Sequence, residues 1–312
     1  MRGPIRIGCS CFALSAIAAL AVCAQFRGGQ GQPEFVRQGQ QLIRQGKPDE
    51  ALALYRRELE TSPDSPPAHN AAGVVLDLMG RGEEARKHFA KAIEAAPSPQ
   101  ARASAQRAMA MSWAFEGDCA NTVKFERQVF DYYASVKDFY QQGEMADEAA
   151  RVCIEAGDLD TAYEWYRTGH ETGLKEPGIQ KDRVDLWNFR WEHAQARIAA
   201  RRKDQAGART HMAAAKGILD GNPELARTQA VFYPYLAGYV ALYGGDYKTA
   251  LEQLLQAGGN DPFIQCLIGQ AYEQLGDKEK AAEYYRKASA TTGHNPPAAY
   301  AHFFTRKKAA SR

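Results

Sequence analysis

The chain has 312 residues, of which 45% are hydrophobic and 24% charged, with 39 Lys and Arg against 37 Asp and Glu. This composition carries enough apolar material for a continuous core and excludes a disordered or strongly basic chain, so charge-driven nucleic-acid binding is not expected. Ala-rich stretches with Glu, Lys, Arg and Leu favour helix, and no alternating Val, Ile and Thr runs support a sheet.

Residues 1–24 stand apart. Arg2 and Arg6 give a positive start, Ile7 to Ala24 is free of charge, and Val22-Cys23-Ala24 is a small-residue exit. This is the pattern of a secretory signal peptide, with cleavage expected after Ala24. An uncleaved anchor is the alternative, because the apolar run is just long enough to span a bilayer. Leu20-Ala21-Val22-Cys23 also resembles a lipobox, although Val22 is bulky for the position before a lipidated Cys. Export to the periplasm, cell envelope or exterior is the expectation, with membrane attachment only through a retained or lipidated leader. Without Arg2 and Arg6 the mature chain carries 37 basic and 37 acidic residues and is formally neutral. Residues 25–31 then read as a Gly/Gln-rich linker.

Farther on, Gly39, Ala51, Tyr55 and Pro63 recur 34 residues later as Gly73, Ala85, Phe89 and Pro97. A second form of the pattern is a Gly-Asp turn followed by Ala and an aromatic or Leu. Gly157-Asp158 leads to Ala162 and Tyr166, Gly245-Asp246 to Ala250 and Leu254, and Gly276-Asp277 to Ala281 and Tyr285. Gly ends one helix and Asp can cap the next. Two copies are degenerate, one around Gly117-Asp118 with Thr122 for the expected Ala, the other with Lys203-Asp204 at its turn.

Internal repetition at this period resembles the tetratricopeptide-repeat (TPR) family, whose unit is a pair of helices. The resemblance implies an all-α, right-handed solenoid of about seven helix-turn-helix repeats. The units are placed at 32–65, 66–99, 103–136 (degenerate), 143–176, 183–222 (degenerate), 231–261 and 262–293. Residues 298–312 read as a capping helix and tail that covers the last unit, as any solenoid requires.

The family binds partners mainly in a concave groove lined by the first helix of each unit. On that face Phe232, Tyr235, Tyr239 and Tyr243 fall at i, i+3, i+7 and i+11, opposite Ala237, Gly238 and Ala241, and are expected to offer aromatic contact area. Alternatively, these rings pack sideways on a neighbouring helix. Arg190, His193, Arg197 and Arg201 form a basic stripe at the same offsets, suited to an acidic or carboxylate-bearing peptide. The preceding unit has Glu144, Asp147, Arg151 and Glu155 there, so mutual neutralisation is the competing reading. The carboxylate clamp by which some members hold chaperone tails is missing, since Val36, Gln40 and Ala71 occupy its places.

Three cysteines remain after the leader: Cys119, Cys153 and Cys266. A Cys119–Cys153 bridge is one option, and three small buried residues in helices is the favoured one. No phosphate-binding loop, nucleophile elbow or metal-ligand spacing is present, so no cofactor and no enzymatic activity are expected. The leading expectation is a scaffold or adaptor for a protein or peptide partner. A membrane-tethered assembly subunit of a bacterial envelope complex is the alternative, and an enzyme using the Arg190/His193 face a remote one.

Overall fold

The computed structural model describes residues 31–310. The leader, its cleavage point and most of the 25–31 linker lie outside the described residues. No strand occurs among the described residues, and no helix among them is long and apolar enough to cross a membrane.

Among the described residues, 33–310 form one compact unit, built mainly from helical hairpins. The first pairs α1 (Glu34–Arg44) with α2 (Pro48–Thr61), and the second α3 (Pro66–Leu78) with α4 (Gly82–Glu94). Then come α5 (Pro99–Ala114) with α6 (Cys119–Ser135), and α7 (Phe139–Ala156) with α8 (Leu159–Gly173). The fifth pairs α9 (Lys181–Arg201) with α10 (Gln205–Gly221). A short α11 (Pro223–Thr228) lies between the fifth and sixth expected units. The last two hairpins are α12 (Phe232–Gly244) with α13 (Tyr247–Gln256), and α14 (Pro262–Gln274) with α15 (Lys278–Ser289), followed by α16 (Pro296–Ala310).

Local chemistry sets these boundaries. Gly157, Gly245 and Gly276 end first helices at positive φ of 95°, 87° and 87°, where an L side chain is strained. Asp118, Asp158, Asp204, Asp246 and Asp277 then cap the second helices, each accepting from the amide three residues on. Pro262 opens α14, where its missing N–H removes no helical bond.

The repeating small residues are contact points. A methyl group added at Gly39 would lie 2.0 Å from the Tyr55 hydroxyl, and at Gly73 2.5 Å from the Phe89 ring. Gly269 meets Tyr285 in the same way at 2.4 Å. Each first helix therefore approaches its partner closely enough for the ring of the second helix to lie directly on backbone. Tyr55, Phe89 and Tyr285 are buried as a result. Trp187 of α9, which the repeat pattern does not mark, does this work between α7 and α8. It is fully buried against Gly143 and Gly173.

The cysteines correct the favoured sequence reading. Cys119 and Cys153 are joined by a disulfide across 34 residues, with Cα atoms 4.8 Å apart, and among the described residues Cys266 is a buried free thiol. Cys119 opens α6 just after the Gly117-Asp118 turn and Cys153 lies just before the Gly157-Asp158 turn, so the bond ties α6 to α7 beside two neighbouring turns.

Candidate partner-binding groove

First helices of successive hairpins touch one another, α1 with α3, α3 with α5, α9 with α12 and α12 with α14. This places them on the inner side of the solenoid, where a partner would be expected to lie. α7 and α9 are joined there by side chains. Arg190 pairs with Glu144, and Arg201 Nη1 lies 3.1 Å from Glu155 Oε2.

These pairs decide between the two readings of the basic stripe. Arg190 and Arg201 are neutralised by the acidic stripe of α7, and Arg197 is buried, donating to the hydroxyls of Tyr166 and, at 3.0 Å, Tyr235. His193 is buried as well, its Nε2 3.2 Å from the Phe232 carbonyl. Burial and the Arg197 charge hold its pKa well below the usual histidine range, so the ring is neutral and donates Nε2–H. Burial pushes the Glu144 carboxyl up, but Arg190 and Arg151 pull harder and leave it below its ordinary value. Burial raises Asp147 to about 6 and also raises Glu155, against the opposing pull of their arginine neighbours.

The expected exposure of the aromatic stripe is corrected too. Tyr239 is fully buried and Tyr235 nearly so. The Tyr239 hydroxyl donates to Glu155 Oε1 at 2.9 Å and accepts from Arg201 at 3.3 Å. Tyr243 is half-buried, 4.6 Å from the Tyr239 ring with Arg201 above its face, and only Phe232 stays exposed, at 43%. The physical reason is coverage from farther along the chain. Phe263 of α14 packs on Tyr235 and Tyr239, and Tyr300 of α16 packs on Phe263 at 4.8 Å. The alternative of sideways packing on neighbouring helices describes these rings.

The inner face is occupied by α16. Beyond covering α14 and α15, as a capping helix should, it reaches back to α5 and α7. Ala298 and Ala299 are buried against Ala110, Met111, Ala114, Phe115 and Val152. The rings of His294 and His302 stack on Phe115, each at 5.2 Å. Asp77 of α3 anchors the arrangement. Its Oδ1 accepts from Ser112 at 2.8 Å, its Oδ2 lies 2.9 Å from His294 Nε2, and its carbonyl accepts from Arg306 at 2.8 Å. At the far end Lys308 binds Glu273 at 2.7 Å. Sequence reading placed the last helix on the final unit only, because nothing local in Ala298, Ala299 and Tyr300 names a surface two hundred residues away.

A family model described as "Tetratricopeptide repeat" matches residues 36–101 and 235–296. These two segments are similar to tetratricopeptide repeats. The matched TPR segments lie near the two ends of the described unit, and α5 to α10 between them continue the same hairpin architecture. An uncharacterized protein of Sinorhizobium fredii, y4yS, is 34% identical over 82 residues, which is 26% of this chain. The chain spans 43% of that relative's length, less than half. Two solved structures share the fold. The apo form of RapI aligns over 89% of this chain and 98% of its own at 10% identity and a TM-score of 0.54. A tetratricopeptide repeat protein from Parabacteroides merdae aligns over 88% of this chain and 98% of its own at 12% identity and a TM-score of 0.51. At such identities the TPR likeness concerns the fold, and function has to be argued from the inner face.

Proposed function

We propose that this TPR chain is an exported, non-catalytic scaffold that holds a helical segment of a protein partner on the inner face of its first helices. The observation that carries the reading is that this face already accommodates a helix, α16, against α5, α7 and α14. The two buried stripes of α9 and α12 act as internal framework, and recognition falls to the surface under and beside α16. The Cys119–Cys153 bond supports the exported setting, since such bonds persist in oxidising compartments.

Phe232 and Leu255 offer the test, as exposed apolar residues on the first and second helices of one hairpin, at 43% and 45% exposure. A photo-crosslinking amino acid is placed at each in turn, and the chain is irradiated in its host envelope. A discrete partner captured from Phe232 and absent from Leu255 is expected. Equal capture from both positions sinks the inner-face reading.

The second reading is a membrane-tethered assembly subunit, favoured by the uncharged run from Ile7 to Ala24. Sequencing the N-terminus of the chain isolated from its host separates the two. A start at Gln25 in the soluble fraction supports the free scaffold, and a retained leader in the membrane fraction supports the tether.

A further inference from the structure

Toward α14 and α15, helix α16 packs as an ordinary end helix, with Ala301 buried beside Cys266 and Ala288, and Phe304 5.4 Å from Tyr285. Toward α3, α5 and α7 its contacts differ in kind. The apolar part is two alanines, each hiding far less area than a leucine would, and the edge of the Phe303 ring against Gly117 at the α5–α6 turn. The rest is ring stacking on Phe115 and hydrogen bonds to Asp77, which exchange with water at small net gain. The fit is close, and its polar part centres on the single residue Asp77. The connection from α15 is the short stretch 290–295, and a short tether gives α16 an effective concentration on the order of millimolar at this surface.

Asp77 adds a requirement. Its side chain is buried, and His294, from the segment leading into α16, is the hydrogen-bond donor to its Oδ2 among the described residues. A buried carboxylate oxygen left without a donor is costly, so whatever covers this surface must bring a donor or a cation to it.

We propose that α16 is a tethered stand-in for the partner, and that the partner is a helix of the same chemistry which displaces it. The rule it must satisfy is a pair of adjacent small residues facing Phe115 and Val152, with a histidine or a cation reaching Asp77. This inference rests on the reading of the inner face as the recognition surface. Recognition is then gated, because a competitor has to outbind a ligand already attached to the chain.

Two measurements on the full chain test it. In native-state hydrogen exchange of the wild-type protein, amides of α16 are expected to exchange roughly tenfold or more faster than those of α5 and α14, through a local opening. Protection of α16 equal to that of α5 overturns the proposal. In the second, a fluorescent synthetic peptide with the sequence of residues 293–310 is titrated into wild-type protein and into His294→Ala/Arg306→Ala, which loosens α16 and leaves Asp77 in place. Roughly tenfold tighter binding to the variant is expected, lost when Asp77→Ala is added. Equal binding to wild type and variant, or none to a variant whose circular dichroism matches wild type, overturns it. Peptide capture with no partner crosslinked through Phe232 would remove the recognition reading while leaving α16 displaceable. Partner capture with no peptide binding would remove displacement alone.

Discussion

Glu126 lies in α6 with both carboxylate oxygens buried and without a hydrogen-bond partner. Burial raises its pKa well above the usual carboxylate range, and Glu148 adds to this while Arg107, paired with Glu148 at 2.7 Å, opposes it. The folded state therefore holds this proton when the unfolded chain has released it. The resulting stability is fully present below the ordinary carboxylate pKa and is lost as pH rises through the raised one. Glu126→Gln should gain stability over wild type progressively as pH rises from 4 to 8 in urea titrations, and a constant difference across that range counts against it. Asp147 and Glu155 shift in the same direction but are common to both proteins and cancel in the comparison. A second residue, Tyr239, donates to the buried Glu155. Tyr239→Phe leaves that oxygen without its donor and should cost about 1–3 kcal/mol in equilibrium unfolding. Sequence placed Tyr239 correctly on one face with Tyr235 and Tyr243, because helical spacing is local. It could not tell that Phe263 and Tyr300 would cover that face, because their approach is decided by how distant hairpins stack.

Helices were the most legible level. Gly-Asp turns are self-contained signals, and each Asp caps a helix whose start follows from one hydrogen bond. Lys203 and Lys137 take the left-handed conformation, at φ 65° and 57°, that glycine adopts elsewhere. Neither position advertises a turn in the sequence, which is why the fifth repeat reads as degenerate. Lys137→Gly should relieve backbone strain and raise stability by up to about 1 kcal/mol, visible as a higher Tm. Lys203→Gly should gain less, since the Lys203 Nζ bond to the Tyr243 carbonyl, 3.1 Å, is lost. The disulfide was not readable from the repeat, since Cys119 opens a second helix and Cys153 lies near the end of the next first helix, positions that the pattern does not equate. Cys119→Ser/Cys153→Ser should lose about 4 kcal/mol from the loop-closure contribution, measured by denaturant unfolding. An unchanged midpoint would mean that the reduced chain retains this contact in its unfolded ensemble.

At the scale of the whole unit, a solenoid usually couples only neighbours, and distant substitutions add. Here α16 is bound to Asp77 at one end of the chain and to Glu273 at the other. Asp77→Asn and Glu273→Gln should therefore interact by about 0.5 kcal/mol or more in a double-mutant cycle, although no shared hairpin joins them. Additivity would mean that α16 transmits nothing between the two ends. This long-range closure also bears on the order of events during synthesis. His294 and Arg306 follow Asp77 by 217 and 229 residues. At roughly 5–20 residues per second, the second and third hairpins wait about 10–40 s before their own covering helix exists. For that interval the face that α16 covers is bare in the growing chain, and any companion that meets it then arrives before the occupant encoded in the same chain.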